Sequence, residues 1–178
     1  MIVKGKFCDL KLLKPKDYNK LYNLRSKLKN DKLIHDIPKN KIFQKIFIEN
    51  QISEKNFFFG IFEKNKLIGT ISIYNLSNDK IAEIGRFVCL NQGIIALEAY
   101  KNTINFAFEK LKLKKLLGKT EKTNTKSKNL MKNFLFKEYY INKFETFFGK
   151  KHRDIIVYFL NRYDFKKLKK KIKKIFYG

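Results

Sequence analysis

The chain has 178 residues, of which 44% are hydrophobic, including 18 Phe and 9 Tyr, so one domain with a packed core is expected and a disordered chain is excluded. Its net charge is +25, from 41 Lys+Arg against 16 Asp+Glu. Four of these basic residues are arginines: Arg25, Arg86, Arg153 and Arg162. Proteins that bind nucleic acid usually use Arg forks, and abundant Lys, Asn, Ile and Phe are typical of an AT-rich genome, so nucleic acid is not the partner we expect.

The cysteines and histidines give no metal-binding pattern. Cys8 and Cys89 are far apart in sequence, and the chain contains only two histidines, His35 and His152. Nowhere do about eighteen apolar residues run together, and the beginning of the chain has no apolar stretch of signal-peptide length. We therefore expect a soluble, cytoplasmic protein without a metal.

The first half of the chain predicts an edge strand, two helices and a hairpin. The stretch "KFCDLKLL" alternates as an edge strand, and a helix with one buried face follows over 16–28. After a loop, residues 41–50 repeat the helical pattern. The apolar positions of this second helix are Ile42, Phe43, Ile46 and Phe47. "NFFFGIFEKNKLIGTISIYNL" then predicts a hairpin with strands at 57–62 and 67–74 and a turn at 64–66.

The second half alternates between strands and helices. We predict a strand at 80–90, an amphipathic helix at 94–111, a strand at 115–120, a helix at 125–134 and a closing hairpin that turns around 149–152. This order predicts an α+β fold with a mixed sheet and helices packed on its faces.

The tail from Asp164 carries seven lysines, and its apolar residues recur at helical spacing. These are Phe165, Leu168, Ile172, Ile175 and Phe176. We predict a basic amphipathic helix over 163–178, separate from a domain at 1–162. Helices of this kind can lie on anionic membranes as peripheral contacts, but we favour packing of the apolar stripe on the same domain or on a second subunit of a homodimer.

The order of elements, together with "LIGTISIYNL", "AEIGRFV", "GIIALEA" and "NTKSKNLMKNFLFKE", resembles the GCN5-related N-acetyltransferase superfamily. The resemblance runs from about residue 10 to residue 162. It implies a central twisted sheet of about seven strands flanked by helices, with acetyl-coenzyme A as co-substrate and an amine as acceptor. The "EIGRFV" strand looks most like bacterial enzymes that acetylate amino sugars on nucleotide carriers for flagellar and surface glycans.

In that superfamily the turn before "LEA" binds the coenzyme diphosphate through its backbone amides. The family pattern there is Gln or Arg, two residues, Gly, one residue, and Gly or Ala; here these three positions are Asn91, Ile94 and Ala96, so two of them have changed. Gly93 could still provide the tight turn from one place earlier, although the β-branched Ile94 crowds the backbone. A plain strand-to-helix turn is the alternative. The cofactor-binding residues that the resemblance implies are Phe87, Val88, Asn91, Gln92, Gly93, Ile94, Ile95, Ala96, Asn124 and Lys128.

The implied reaction is direct attack of a neutral amine on the thioester, so a base must take a proton from the amine. Glu83 in "AEIGRFV" is our candidate base; the alternative is an ion pair with Arg86 or a neighbouring lysine. His35 is a second candidate, or a surface residue. Met131 stands where family members commonly have the tyrosine that protonates the leaving thiolate, and a thioether cannot donate a proton.

Two further groups complete the predicted site. Tyr140, or its neighbour Tyr139, could replace the missing acid, or both could be core aromatics. Cys89 would be a small apolar filler rather than a nucleophile. Arg25, Ser26 and Tyr74 match the place where the family shapes its acceptor site, and Arg25 could clamp a nucleotide diphosphate or simply be a solvated helix-end cation.

Other functions fit the same residues. An enzyme of this superfamily could acetylate a protein N-terminus or a ribosomal protein. The changed glycine and tyrosine also allow a fold that has lost its activity and binds nucleic acid or an anionic surface through its lysines, which salt would weaken. Our principal hypothesis is an acetyl-coenzyme A-dependent N-acetyltransferase for a nucleotide-linked amino sugar.

Overall fold

A computed structural model describes residues 1–27, 41–145 and 152–177. The predicted loop that includes His35 and the tip of the closing hairpin lie outside these ranges. The chain divides into two compact units: Met1–Leu76 with Gly85–Phe106, and Ser77–Ile84 with Ala107–Gly178. The described residues form eight strands and five α-helices, which confirms the predicted mixed α/β class.

The first unit contains the strands β1 (Ile2–Val3), β2 (Asp9–Leu12), β3 (Phe57–Glu63) and β4 (Lys66–Tyr74), and the second half of β5 (Ile81–Cys89). Strands β1 to β4 pair antiparallel in chain order. The prediction of an edge strand at β2 was wrong, because Val3 pairs with Leu10 and so covers that edge. A strand of two residues is too short for any alternating pattern, and this explains why about seven strands were expected instead of eight.

The hairpin of β3 and β4 follows its prediction closely. Lys64 and Asn65 form the turn with φ values of 45° and 67°, as a two-residue turn that matches the strand twist requires. β3 reads as an almost continuous apolar run because both of its faces are covered. On one face Phe58 and Phe62 join a core cluster under the first two helices, and on the other Phe59 packs edge-on against Phe106.

Helices α1 (Tyr18–Lys27) and α2 (Ile42–Ser53) belong to the first unit. A 3₁₀ turn at Pro15–Asp17 starts α1, and Leu21 and Leu24 bury the predicted face. α2 forms where expected, but it buries a different face. The apolar Ile42, Phe43 and Ile46 are exposed, whereas Gln44, Ile48 and Gln51 are buried. The side-chain oxygens of Gln44 and Gln51 accept hydrogen bonds from arginines, which compensates for burying these two oxygens.

Helix α3 (Ile94–Asn105) continues into a π-helical turn at Phe106–Lys110, and together they match the helix predicted at 94–111. The second unit then holds β6 (Lys115–Glu121), α4 (Thr125–Asn133), β7 (Lys137–Glu145), β8 (His152–Asn161) and α5 (Arg162–Tyr177), along with the first half of β5. Its strand order is β5-β6-β8-β7. β5 and β6 are parallel and the other pairs are antiparallel, so the sheet is mixed as predicted.

The C-terminal helix α5 packs its stripe on its own unit. The rings of Phe165 and Phe108 stack 4.6 Å apart, and Leu168 is fully buried. Arg162 at the start of the helix donates to the carbonyl oxygens of Phe108 and Leu113 at 2.8–3.1 Å, which satisfies the end of the π-helical turn. These contacts agree with the intramolecular alternative for the described part of the apolar stripe, Phe165, Leu168 and Ile172.

Candidate active site

The turn between β5 and α3 leaves the start of the helix uncapped. Gly93 is the N-cap residue, with φ 81° and ψ −138°, and its carbonyl oxygen accepts the first helical bond from Leu97 at 3.0 Å. No side chain caps the helix, and its first turn contains no acidic residue. The first N–H groups of an α-helix have no partner within the helix and attract anions. A β-carbon at Gly93 would meet nothing within 4 Å, so space is open at this point.

Contacts on the preceding residues hold this turn in place. The backbone N–H of Leu90 donates to the carbonyl oxygen of Ile68 at 2.8 Å, and the Cys89 thiol donates to the carbonyl oxygen of Asn91 at 3.0 Å. The Asn91 side chain donates to the Glu63 carboxylate at 2.7 Å. The turn is therefore fixed by the protein itself, and the side chain of Asn91 is used for that purpose.

Ile94, which replaces the small residue of the family pattern, does not fill the turn. Its side chain is 39% exposed. Gln92 is exposed as well, and Ile95 and Ala96 are half-buried on the first turn of α3. The Ile94 side chain is therefore partly exposed to solvent rather than buried inside the turn.

The second half of β5 leads into this turn. The half-buried Phe87 packs its ring 5.5 Å from the ring of Tyr100, and Val88 is also half-buried. Burial raises the pKa of the Cys89 thiol, so little of it is thiolate at neutral pH. Because the thiolate is the nucleophilic form of cysteine, this disfavours an acetyl-cysteine route and agrees with the assignment of Cys89 as a filler.

Glu98 fixes α3 from its second turn, a role that the sequence analysis missed. Its buried carboxylate accepts the backbone N–H groups of Lys6, Phe7 and Cys8 at 2.7–2.9 Å and lies 3.8 Å from the ammonium of Lys101. A glutamate inside an apolar helix was the available signal, because a carboxylate is rarely buried without such partners.

Glu83, the candidate base, lies on the half of β5 that belongs to the second unit. Its carboxylate is almost buried, and Lys119 on β6 donates to it at 2.8 Å. The ion pair with a neighbouring lysine, which was the alternative interpretation, is thus present. A carboxylate in such a pair can still exchange a proton through water, so the pair does not remove Glu83 as a base.

Asn124 and Lys128 use part of their polar groups within the second unit. The Asn124 side-chain oxygen accepts the backbone N–H of Ser127 at 3.0 Å and so caps α4. This cap does not use the side-chain amide nitrogen of Asn124. The Lys128 ammonium donates to the carbonyl oxygen of Lys122 at 2.6 Å.

Met131 is a core residue in this chain. It is 4% exposed, and its methyl and sulfur atoms cover Gly118, where a β-carbon would lie only 2.9–3.0 Å from them.

Tyr140 is 42% exposed on β7 and packs edge-on against the ring of Tyr139. Tyr158 also carries a hydroxyl group, and it was not among the candidate acids selected from the sequence. Burial and the nearby Glu138 carboxylate raise its pKa, so it keeps its proton.

Two of the three predicted acceptor residues belong to one cluster. The Arg25 guanidinium lies 5.8 Å from the Phe47 ring centroid, and Arg86 lies 5.6 Å from that same ring and 4.4 Å from the ring of Tyr74. Ser26 is not part of the cluster, since its hydroxyl donates to the carbonyl oxygen of Tyr22 within α1. Phe47 and Arg86 are the members that sequence reasoning did not assign to the acceptor.

Within the described ranges, no cluster of three or more His, Cys, Asp or Glu side chains could hold a metal ion. None of the helices in those ranges is both long and apolar enough to cross a bilayer.

The uncapped start of α3 after β5 is the feature that the family resemblance implied for the diphosphate of the coenzyme. The family model described as "Acetyltransferase (GNAT) domain" matches residues 9–137. The chain therefore belongs to the GNAT acetyltransferase family and is an acetyl-coenzyme A-dependent N-acetyltransferase. No protein with a curated description matches the sequence.

Solved structures share the fold at low identity. A GCN5-related N-acetyltransferase from Brucella melitensis is 17% identical with a TM-score of 0.82, over 96% of this chain and 82% of that one. A ribosomal L7/L12 alpha-N-protein acetyltransferase in complex with coenzyme A is 16% identical with a TM-score of 0.80, over 90% and 98%. A GNAT-family acetyltransferase from Bacillus anthracis is 20% identical with a TM-score of 0.72, over 90% and 98%.

Proposed function

We propose that this enzyme acetylates the primary amine of an amino sugar carried on a nucleotide, in the cytoplasmic synthesis of surface or flagellar glycans. The observation that carries the proposal is the pairing of an uncapped helix start at Gly93 with an arginine and aromatic cluster at the predicted acceptor residues Arg25 and Tyr74. The first suits the diphosphate of the coenzyme and the second suits an anionic acceptor.

The residues around the turn fit the coenzyme. The amides of Ile94, Ile95 and Ala96 would hold its diphosphate, and the backbone of Phe87 and Val88 would align its arm. The amide nitrogen of Asn124 and the ammonium of Lys128, in the second unit, are donors that the family resemblance assigns to the coenzyme. Bound acetyl-coenzyme A supplies the thioester carbonyl carbon that the acceptor amine attacks. Binding is measured by calorimetry, and no heat at about 100 μM acetyl-coenzyme A would contradict the proposal.

Glu83 is proposed as the base that takes the proton of the acceptor amine, directly or through water. Its ion pair with Lys119 holds the carboxylate in one orientation. Glu83→Gln keeps the shape but loses the basic oxygen, so kcat should fall about 100-fold while affinity for acetyl-coenzyme A is retained. Lys119→Met tests the partner alone and should have a smaller effect. Unchanged turnover in Glu83→Gln would remove Glu83 as the base.

Tyr140 is proposed as the group that protonates the leaving thiolate, because Met131 cannot. Tyr140→Phe should lower kcat by about tenfold with little change in the KM for acetyl-coenzyme A. Tyr158→Phe is the comparison variant, because burial and Glu138 raise the pKa of the Tyr158 phenol, which therefore keeps its proton at neutral pH. A loss of turnover in Tyr158→Phe alone would transfer the role to Tyr158.

A second acceptor class, protein N-termini, is favoured by the structural similarity to the ribosomal L7/L12 alpha-N-protein acetyltransferase. The two classes are separated by following thiol release with a panel of uridine diphosphate amino sugars and a panel of peptides. Under our proposal the sugar nucleotides are acetylated with a kcat/KM at least 100-fold higher than that of any peptide, a difference typical of specific over incidental substrates. The reverse ranking would assign the enzyme to proteins.

A further inference from the structure

The acceptor cluster consists of Arg25, Phe47, Tyr74 and Arg86, and the Phe47 ring on α2 lies at its centre. Arg25 from α1 and Arg86 from β5 both lie within 6 Å of the Phe47 ring centroid, at 5.8 Å and 5.6 Å, which is the range of cation–π contacts. The chain has 41 basic residues, and two of its four arginines meet at this ring. Lysine, which is abundant in this chain, would be sufficient at a surface that needed only positive charge. Arginine at both positions therefore indicates that the planar shape of the guanidinium is needed.

The two guanidinium groups are oriented by glutamines on the same helix face. Arg25 donates to the Gln44 side-chain oxygen at 3.1 Å, and Arg86 donates to that of Gln51. Gln44, Phe47 and Gln51 are spaced by three and four residues, so they form one stripe of α2. Both glutamine side chains are buried and uncharged, and their oxygens orient the two guanidinium groups.

Arg86 is held in an unusual backbone conformation. Its φ is 52°, which belongs to the left-handed region that residues with a side chain seldom adopt. The Arg86 side chain is exposed yet lies 4.4 Å from the Tyr74 ring, which itself covers Gly85, where a β-carbon would lie 2.8 Å from the tyrosine oxygen. A strained backbone at an exposed arginine motivates the hypothesis that its side chain has a functional role.

Arg25 keeps its charge in this environment. Burial lowers the pKa of its guanidinium, but arginine stays protonated at neutral pH because its ordinary value is so high. The half-buried position reduces competition from water, and an ion contact there is stronger than on an open surface.

We propose that Arg25 and Arg86 together bind the diphosphate of a nucleotide-linked acceptor, with Phe47 as the platform between them. This deepens the proposed function and rests on it. A guanidinium presents two parallel N–H donors to a phosphate, and a diphosphate offers one phosphate to each arginine. Because both side chains are already oriented, little conformational entropy is lost when the ligand binds.

The experiment is calorimetric titration of uridine diphosphate into the protein saturated with coenzyme A, so that the coenzyme's own diphosphate site is filled. We expect binding by the unmodified chain and about tenfold weaker binding by Arg25→Lys and Arg86→Lys, which keep the charge but lose the fork. Lys66→Gln removes one charge from the separate groove of about 260 Å³ that Lys20, Lys27 and Lys66 line, and should bind normally.

A second variant separates binding from folding. Arg86→Gly removes the guanidinium and also relieves the positive φ, because glycine adopts that region readily. Its Tm should stay within a few degrees of the unmodified chain, while uridine diphosphate affinity falls at least tenfold. Loss of affinity in a stable Arg86→Gly protein therefore reports on the site itself.

The outcomes distinguish this proposal from the proposed function. Equal affinity in all variants, or an equal loss in Lys66→Gln, would assign uridine diphosphate binding to net charge and overturn the two-arginine site. Coenzyme A binding without any uridine diphosphate binding would also overturn it, yet leave acetyl transfer intact. If coenzyme A does not bind, the proposed function fails, and titration of uridine diphosphate alone into the same variants still decides the arginine site.

Discussion

Helices α3 and α4 begin in opposite ways. α4 starts at Asn124, whose side chain satisfies a backbone N–H of the first turn, whereas α3 starts at Gly93, which has no side chain to do so. Every α-helix leaves its first N–H groups without a helical partner. α4 satisfies part of this need within the chain, and α3 leaves its amides to water or to a ligand. This difference supports α3, and not α4, as the proposed anion site.

The largest effect on acetyl-coenzyme A affinity is expected when α3 receives a charged cap. Gly93→Asp should lower acetyl-coenzyme A affinity by more than tenfold, because the carboxylate would bind the first amides and repel a diphosphate. Gly93→Asn is the matched control, with the same shape and the same strain at φ 81° but without the charge. Calorimetry of both variants measures the effect, and equal losses would mean that strain, not charge, is responsible.

The second test removes the anchor that holds α3. Glu98→Gln replaces one carboxylate oxygen by a donor and faces it with three backbone N–H groups, so the free energy of unfolding should fall by about 2 kcal/mol. Thermal unfolding measures this as a decrease in Tm of several degrees. An unchanged Tm would show that the contacts to residues 6–8 do not stabilise α3.

The third test removes the cap of α4. Asn124→Ala should lower stability by about 1 kcal/mol, and Asn124→Asp should restore it, because aspartate caps as well as asparagine. Asn124→Asp also replaces the amide nitrogen by an acceptor. If the coenzyme contacts that nitrogen, its affinity falls in Asn124→Asp at normal Tm. If affinity follows stability instead, Asn124 acts as a cap alone.

A pH experiment examines the contact of Cys8 with α3. The Cys8 thiol donates to the carbonyl oxygen of Ile95 at 3.7 Å, and burial, followed by the charge of Glu98, raises its pKa from about 9 to about 12. A raised pKa favours the folded state below pH 9 and loses that contribution as the pH rises toward 12. Tm measured from pH 8 to pH 10.5 should therefore fall less steeply in Cys8→Ala than in the unmodified chain. Parallel curves would contradict the assignment.

The smallest effect is expected at Ile94. Its side chain lies at the surface of the turn, so Ile94→Ala should change acetyl-coenzyme A affinity by less than about threefold. A large gain in affinity would show that the β-branched residue does crowd the diphosphate. Calorimetry under the conditions used for Gly93 makes the two positions directly comparable.

Much of the fold could be predicted from local patterns. The hairpin of β3 and β4, the strand β5, the helices and the closing strands have periodicities that the sequence shows directly. β1 could not be predicted because a two-residue strand has no period. The buried face of α2 was missed because its glutamines look polar in sequence, and their partners Arg25 and Arg86 are far away along the chain.

The candidate site could be predicted in its local parts only. Gly93 and its helix follow one another in sequence, and a family pattern was available for them. The partnership of Glu98 with residues 6–8 joins segments about ninety residues apart, and no local spacing encodes it. The left-handed backbone of Arg86 also escapes sequence reasoning, since arginine normally avoids that region.

The hydrogen bonds from the backbone of residues 6–8 to Glu98 show that this segment takes part in folding the domain. The shared family region starts at residue 9, just beyond the three amides that this carboxylate needs. In a protein trimmed to that region, the buried Glu98 carboxylate would lose these three hydrogen bonds, and among the contacts described here only the one with Lys101 would remain. Such a charge is costly to bury, so residues 6–8 are a structural part of the domain that contains α3.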